Sequence, residues 1–214
     1  MDQDLVNYYR DRAQEYEKVY HKPERQADLK KLISVLQSLF FHKEVLEIAC
    51  GTGYWTERIA QTANSILATD INKTVIDIAK NKRYKSCVTF EVSDIYDLNP
   101  IRKHESLFGG FIWSHILLQE LDHFITKVSG LVKPGGTLVF IDNNYIEGSS
   151  HMITKSDDRG NTYQTRTLET GASHLVLKNF PTREFVIRQL SGIAAETAYI
   201  NLRYYWIVRV RLLQ

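Results

Sequence analysis

The feature that most constrains this chain is a short apolar run that stops at a glycine turn. Val45-Leu46-Glu47-Ile48 reads as a buried strand, and Cys50-Gly51-Thr52-Gly53 ends it. A helix is expected over 56–63, then a second strand, Ser65-Ile66-Leu67-Ala68-Thr69, that stops at Asp70. A strand, a glycine turn and a helix, with an acid about twenty residues past the turn, form the arrangement that grips an adenosine-containing cofactor. Gly51 and Gly53 permit a tight turn and a close approach where a Cβ would clash. Asp70 then stands where its carboxylate accepts both ribose hydroxyl hydrogens. The bland alternative is a plain turn beside a solvated strand end; the strand order and the acid together favour the cofactor.

The rhythm continues downstream. Val75, Ile78 and Ala79 mark a helix, and 88–92 a third strand ending at Ser93-Asp94. Gly110-Phe111-Ile112-Trp113 reads as a fourth strand. Leu121, Phe124, Ile125, Val128 and Leu131 trace a helix stopped by Lys133-Pro134-Gly135-Gly136, and 137–141 reads as a fifth strand. Short strands alternating with helices predict an α/β fold, a parallel sheet covered on both faces. Ahead of it, Leu5, Tyr8, Tyr9, Ala13, Tyr16 and Tyr20 recur near helical spacing over 2–21, and Pro23 breaks the segment. Leu29, Leu32, Ile33, Leu36 and Leu39 or Phe40 then give an amphipathic helix.

After Asp142 the rhythm is lost. Residues 143–181 are polar and too long for an ordinary connection, so they read as a functional lobe. Thr182 is placed to cap a helix carrying Phe185, Val186 and Leu190. Two β-rich runs, 197–202 and 204–213, close the chain. In the second, Trp206, Val208, Val210 and Leu212 alternate with Ile207, Arg209, Arg211 and Leu213, which predicts an antiparallel strand with one wetter face. One domain over 1–214 is expected: a helical cap (1–44), a core (45–142), the lobe (143–181) and a closing helix and strand pair (182–214).

Composition narrows the function class. With 43% hydrophobic and 24% charged residues, the chain is an ordinary folded one. A net charge of +2 advertises neither a nucleic-acid nor a membrane surface. No apolar run approaches the ~20 residues of a membrane helix, and the polar N-terminus is no secretory signal. Cys50 and Cys87 are too few for a disulfide framework. A cytoplasmic protein is expected.

The residues around the turn separate one adenosine cofactor from another. A nicotinamide site usually has a third Gly or Ala, where Thr56 stands here, and no acid inside the leading strand. Glu47 suits a ligand that carries a positive amine and no phosphate. Val45-Leu46-Glu47-Ile48-Ala49-Cys50-Gly51-Thr52-Gly53 resembles the first motif of the class I S-adenosylmethionine-dependent methyltransferases, and Leu131-Val132-Lys133-Pro134-Gly135-Gly136-Thr137-Leu138 resembles that family's turn before the fifth strand. The resemblance covers roughly 44–142. Ala49 stands where the family more often has Gly, a mild substitution.

The resemblance implies a Rossmann-like three-layer sandwich whose mostly parallel seven-stranded sheet has its last strand antiparallel. It implies S-adenosylmethionine as cofactor and S-adenosylhomocysteine as product. Glu47 and the backbone of Ala49, Cys50, Gly51, Thr52 and Gly53 would hold the methionine part, Asp70 the ribose, with Ile71 on the adenine. Asp94 would accept from the adenine amino group beside Ile95, although an N-cap is its plain alternative. Ser114 and His115 would meet the methionine moiety at the mouth of the substrate pocket. The Tyr-Tyr-Arg-Asp-Arg-Ala-Gln-Glu-Tyr stretch resembles the lid of small-molecule members, so Tyr8 and Tyr16 are expected to shield a sulfonium by cation–π attraction, with Tyr9 toward the substrate. Edge packing is the plain alternative for each.

Displacement on an activated methyl needs alignment and exclusion of water more than a catalytic residue. A base is needed only where the acceptor keeps its proton, and His115 is the best-placed candidate, against a structural histidine as alternative. Asn143, Asn144 and Tyr145 are expected to orient an acceptor. Asp142-Asn143 resembles the magnesium site of catechol-type members, but Trp113-Ser114-His115 stands where the matching acid belongs, so no metal is expected. The expected partner is a small molecule methylated at oxygen or nitrogen, without nucleic acid or membrane, by a monomer or homodimer. An RNA or protein methyltransferase, and a cofactor-binding scaffold without turnover, are the competing readings.

Overall fold

Odd and even residues of the central strands face opposite sides of one sheet, and helices cover both sides. In β1 (Glu44–Ile48), Val45 packs with α2 (Gln26–Leu39) and α3 (Tyr54–Ile59). Leu46 and Ile48 pack on the other side with α5 (Leu121–Gly130) and α6 (Arg183–Leu190). The same alternation carries Val139 and Ile141 to the first side, and Leu138 and Phe140 to the second. The computed structural model, which describes residues 3–99 and 102–214, is therefore a helix–sheet–helix sandwich. Met1 and Asp2 of the expected cap lie outside the described residues.

The sheet adds β2 (Ser65–Asp70), β3 (Cys87–Val92), β4 (His104–Gly110), β5 (Val132–Asn143), β9 (Ala194–Asn201) and β10 (Tyr205–Leu212). Their order is β3-β2-β1-β4-β5-β10-β9, with β10 antiparallel to both neighbours. The seven-stranded, mostly parallel sheet with an antiparallel last strand is thus present. Strand order reverses between β1 and β4, which opens a crevice at the carboxyl ends of the strands. Between β2 and β3 lies α4 (Lys73–Lys80), which buries Val75, Ile76 and Ala79. Among the described residues, no helix is long and apolar enough to cross a membrane.

Four expectations shift. The fourth strand runs over His104–Gly110 rather than 110–113, and Trp113–His115 is a 3₁₀ turn. Gly109 belongs inside the strand because a Cβ there would lie 2.8 Å from the Phe140 ring and 3.0 Å from Ile112. The helix after the glycine turn is Tyr54–Ile59, earlier and shorter than expected. The fifth strand starts at Val132, with 133–136 bulging out: His104 pairs with Val132, yet Ser106 pairs with Thr137. The closing strand is wet only at its far end, since Ile207 is buried on one face and Val208 on the other, and only Arg211 is exposed. An interior place between β5 and β9 covers both its faces.

The polar stretch after β5 folds into a second, antiparallel sheet of β6 (Lys155–Ser156), β7 (Thr162–Thr167) and β8 (Ser173–Leu177). Helix α1 (Gln3–Asp11) packs on β8. Leu5, Tyr8, Leu168 and Val176 form a small core of their own there, separate from the two that flank the main sheet. A 3₁₀ segment, Ala13–His21, leads from α1 back to the sheet. The two ends of this roof come from opposite halves of the sequence and meet over the crevice.

Candidate functional site

The turn after β1 takes its shape from three left-handed residues: Ala49 (φ 51°), Gly51 (φ 56°) and Gly53 (φ 79°). Glycine adopts this region freely, whereas alanine is held there at a cost of about 1–2 kcal/mol. The Ala49 exchange is therefore costlier than its size suggests. Gly53 answers to packing, since a Cβ would meet the Tyr84 hydroxyl at 2.6 Å and the Ala79 Cβ at 3.0 Å. Cys50 donates its backbone N–H to Thr69 O at 2.9 Å, and its side chain joins the core on the α2 side. Ala49, Gly51 and Thr52 are the turn residues that line the crevice.

Asp70 closes the turn from the next strand. Its Oδ2 accepts from the Gly51 N–H at 2.9 Å, and its Oδ1 from the Asn72 N–H at 2.8 Å. Burial raises its pKa to about 6, against the pull of these backbone donors. Each oxygen keeps a lone pair for a further donor. Ile71, Asn72 and Val75 continue the wall, as do Ser93 and Ile95 after β3. The Asp94 carboxylate accepts from the Tyr96 N–H at 2.9 Å, and its carbonyl from Asp97 and Leu98, so it shapes a turn and does not line the crevice.

Glu47 lies beneath the turn, 1% exposed, with Oε2 buried and unbonded. Burial lifts its pKa to about 8, eased by the Thr56 hydroxyl and raised further by Asp70. A buried carboxyl with an unfilled oxygen is the environment a cationic donor satisfies.

Tyr9 and Tyr16 come down from the roof onto the crevice, opposite Phe111 and His115. The Tyr9 hydroxyl lies 2.7 Å from His115 Nε2, and His115 Nδ1 lies 2.6 Å from the Leu177 carbonyl. A carbonyl only accepts, so Nδ1 carries the proton and Nε2 accepts from Tyr9. Burial, then the Lys178 and Arg166 charges, holds the His115 pKa well below its ordinary value, so the ring is neutral. Glu17 of the 3₁₀ segment latches the roof to the turn, accepting from Thr52 Oγ at 2.7 Å and from Lys82.

Besides Glu47, Cys50, Gly53 and Asp94, which lie behind the wall of the crevice, four more residues expected in the site are placed elsewhere. Tyr8 is buried in the roof core, its hydroxyl bonded by Arg12 and Arg166. Ser114 is fully buried, donating its N–H to Asp142 Oδ2 at 2.9 Å and accepting from Lys178 at Oγ. Asn144 continues the ladder with β10 and donates its amide to Leu202 O at 2.8 Å, so it pins the β9–β10 turn. Tyr145 is exposed, its ring edge-on to Phe180. Among the described residues, no three His, Cys, Asp or Glu side chains converge as metal ligands.

A second cavity of about 710 Å³ adjoins the first, of about 740 Å³, both measured with their open mouths. Tyr9, Tyr16 and Phe111 line both. Phe111 holds this partition in a left-handed conformation (φ 60°), a strain fixed by its N–H bond to Ile141 O at 2.8 Å. The second cavity takes Asn143 from the expected set. It also takes Arg12, Lys22, Arg25, Arg166 and Lys178, none of which the sequence singled out.

Comparison with known proteins agrees with this geometry. Residues 45–136 match the family model described as a methyltransferase domain. A malonyl-[acyl-carrier protein] O-methyltransferase of Priestia megaterium is 32% identical over 116 residues, 51% of this chain and 41% of that protein. An uncharacterized methyltransferase of Anoxybacillus flavithermus is 24% identical over 75% of this chain and 78% of its own length. The chain spans less than half the length of the malonyl-[acyl-carrier protein] enzymes it matches. The solved DhpI–SAM–HEP complex shares the fold with a TM-score of 0.82 at 24% identity, covering 98% of this chain and 96% of that one. With the motif, the sheet order and the domain match in agreement, residues 45–136 match a methyltransferase domain, and the chain is similar in fold to the class I S-adenosylmethionine-dependent methyltransferases.

Proposed function

We propose that the protein moves a methyl group from S-adenosylmethionine to an oxygen or nitrogen of a small molecule, within one domain over 1–214. The observation that carries this reading is the pair of adjoining cavities, one against the glycine turn and one beside it, which share Tyr9, Tyr16 and Phe111 in their walls. The first suits the cofactor: Gly51 presents no side chain on its wall, Asp70 on that wall accepts hydrogen bonds where the ribose hydroxyls would donate, and Glu47, beneath the turn and behind the wall, has a buried oxygen without a hydrogen-bond partner for the ammonium. Ile71 and Ile95 supply apolar walls for the adenine. Bound there, the cofactor supplies an electrophilic methyl on sulfur.

The rest falls to the chain. The roof covers the reacting atoms and keeps water from the methyl, and the aromatic partition sets the line between donor and acceptor. Tyr9 and Tyr16 offer ring faces to a cation at that partition. Neutral His115 orders Tyr9; its Nε2 lone pair is already engaged, so it serves the site first as a positioning residue.

The test is binding of S-adenosylhomocysteine followed by thermal unfolding. A ligand at a hundred times its Kd adds about 2.7 kcal/mol, which for a chain of this size is a rise of about 5–10 °C. No rise at millimolar ligand would end the proposal.

A further inference from the structure

We propose that the second cavity is an acceptor subsite for a small oxyanion bearing two or more negative charges. This rests on the methyltransferase reading and extends it to the substrate class.

Two like-charged pairs make the case. Lys22 Nζ and Arg25 Nη2 both donate to the Ser149 carbonyl, at 3.0 and 3.2 Å, and Arg25 also reaches Ser149 Oγ at 2.9 Å. Across the cavity, Arg12 and Arg166 both donate to the Tyr8 hydroxyl, at 2.9 and 3.4 Å. Each pair thus brings two cations onto one neutral oxygen. Among the described residues, none of the four forms an ion pair, although Lys178 beside them pairs with Asp142 at 2.8 Å. Glu24, the carboxylate that bonds Ser149 Oγ, is exposed and does not line the cavity. Arg25 is 8% exposed, and its Nε is buried with no partner.

Like charges gathered in a part-buried cavity repel one another, and the cost appears in their neighbours. His151 titrates below its ordinary value through burial and then through Arg166, Lys22, Arg12 and Arg25. Lys22 is lowered by burial and by Arg25. Such an arrangement is stabilised when an oxyanion accepts several charge-assisted hydrogen bonds at once, and guanidinium groups suit it for their paired donors. A cavity of about 710 Å³, its open mouth included, has the size of a small-molecule site.

The charge also bears on the chemistry. An ionised acceptor oxygen attacks the methyl carbon, the C–O bond forms as the C–S bond breaks, and the electron pair stays on sulfur. No proton leaves the acceptor, so no base is required. That agrees with a His115 whose lone pair is occupied by Tyr9.

The experiment is calorimetric titration of the S-adenosylhomocysteine-loaded protein with inorganic phosphate, malonate, and uncharged catechol. Phosphate or malonate should bind and catechol should not; the ratio of the first two separates a phosphoryl from a dicarboxylate ligand. Lys22→Gln and Arg166→Gln should each weaken the oxyanion about ten-fold or more, while Lys18→Gln, at an exposed pair with Glu169, should leave it unchanged. Unaltered S-adenosylhomocysteine affinity in each variant certifies the fold. Cofactor product that binds while neither oxyanion does, or oxyanion binding indifferent to Lys22 and Arg166, overturns the inference. Failure of S-adenosylhomocysteine itself to bind overturns the methyltransferase reading instead.

Discussion

Glu47→Gln gives the sharpest test of the first cavity. Glu47 is 1% exposed and titrates near 8 in the native state against an ordinary 4.5. Its native pKa is raised, so the folded protein holds a proton that the unfolded chain has lost. Stability is therefore greatest below about pH 4.5, falls as pH rises toward 8, and is level above that. At pH 7 the gap from 4.5 is about 2.5 units, or about 3 kcal/mol at 1.36 kcal/mol per unit. Gln has the same shape and never ionises. In urea unfolding of the ligand-free protein, Glu47→Gln should gain on the wild type by about 3 kcal/mol between pH 4.5 and 7, with m unchanged. Any constant cost of burying the amide displaces both ends equally and leaves that slope intact. With S-adenosylhomocysteine present the order should reverse, because the ammonium favours the carboxylate, and wild-type binding at pH 7 should release close to one proton. A stability difference that is flat from pH 5 to 8 would refute the reasoning.

Two further outcomes test the frame around the site. Gly109→Ala drives a methyl to 2.8 Å from the Phe140 ring, so it should cost about 1–3 kcal/mol and lower the Tm measurably by calorimetry; an unchanged Tm would mean that β4 and β5 are less closely packed. Lys178→Met leaves Asp142 buried with only the Ser114 and Asn143 N–H groups, and should cost about 3–5 kcal/mol, read as a Tm fall of about 10 °C; a rise would show that the ion pair costs more than it returns.

Much of the core is legible because its signals are local. β1 and β2 are short, mostly apolar runs, Glu47 being the exception, ended by a glycine turn and an acid, since strands covered on both faces show no regular polar side. β4 is harder to see. It opens on His104-Glu105-Ser106 and ends on two glycines, the first of which answers to Phe140, a residue of the next strand whose proximity no neighbouring letters reveal. The same holds in the site. Glu47 and Asp70 lie within one strand–turn–strand unit and stand out together, whereas Arg12, Lys22, Arg25 and Arg166 meet only because the roof closes two distant segments over the sheet. Tyr8 and Tyr9 are adjacent and alike, yet α1 turns one into the roof core and the other onto His115. Helical phase against β8 decides between them.

That roof also sets a clock. Its core consists of Leu5, Tyr8, Leu168 and Val176, and neither flank of the main sheet contributes to it. Opening it costs far less than global unfolding, so the amides of α1 and β8 should exchange with solvent as one cooperative unit while those of β1 and β5 stay protected. Under the proposed methyl transfer, two ligands enter and two products leave beneath this cover. The Glu17 latch and the Tyr9–His115 bond hold that cover closed, so loosening the latch should shorten the residence time of bound S-adenosylhomocysteine, read by stopped-flow dissociation.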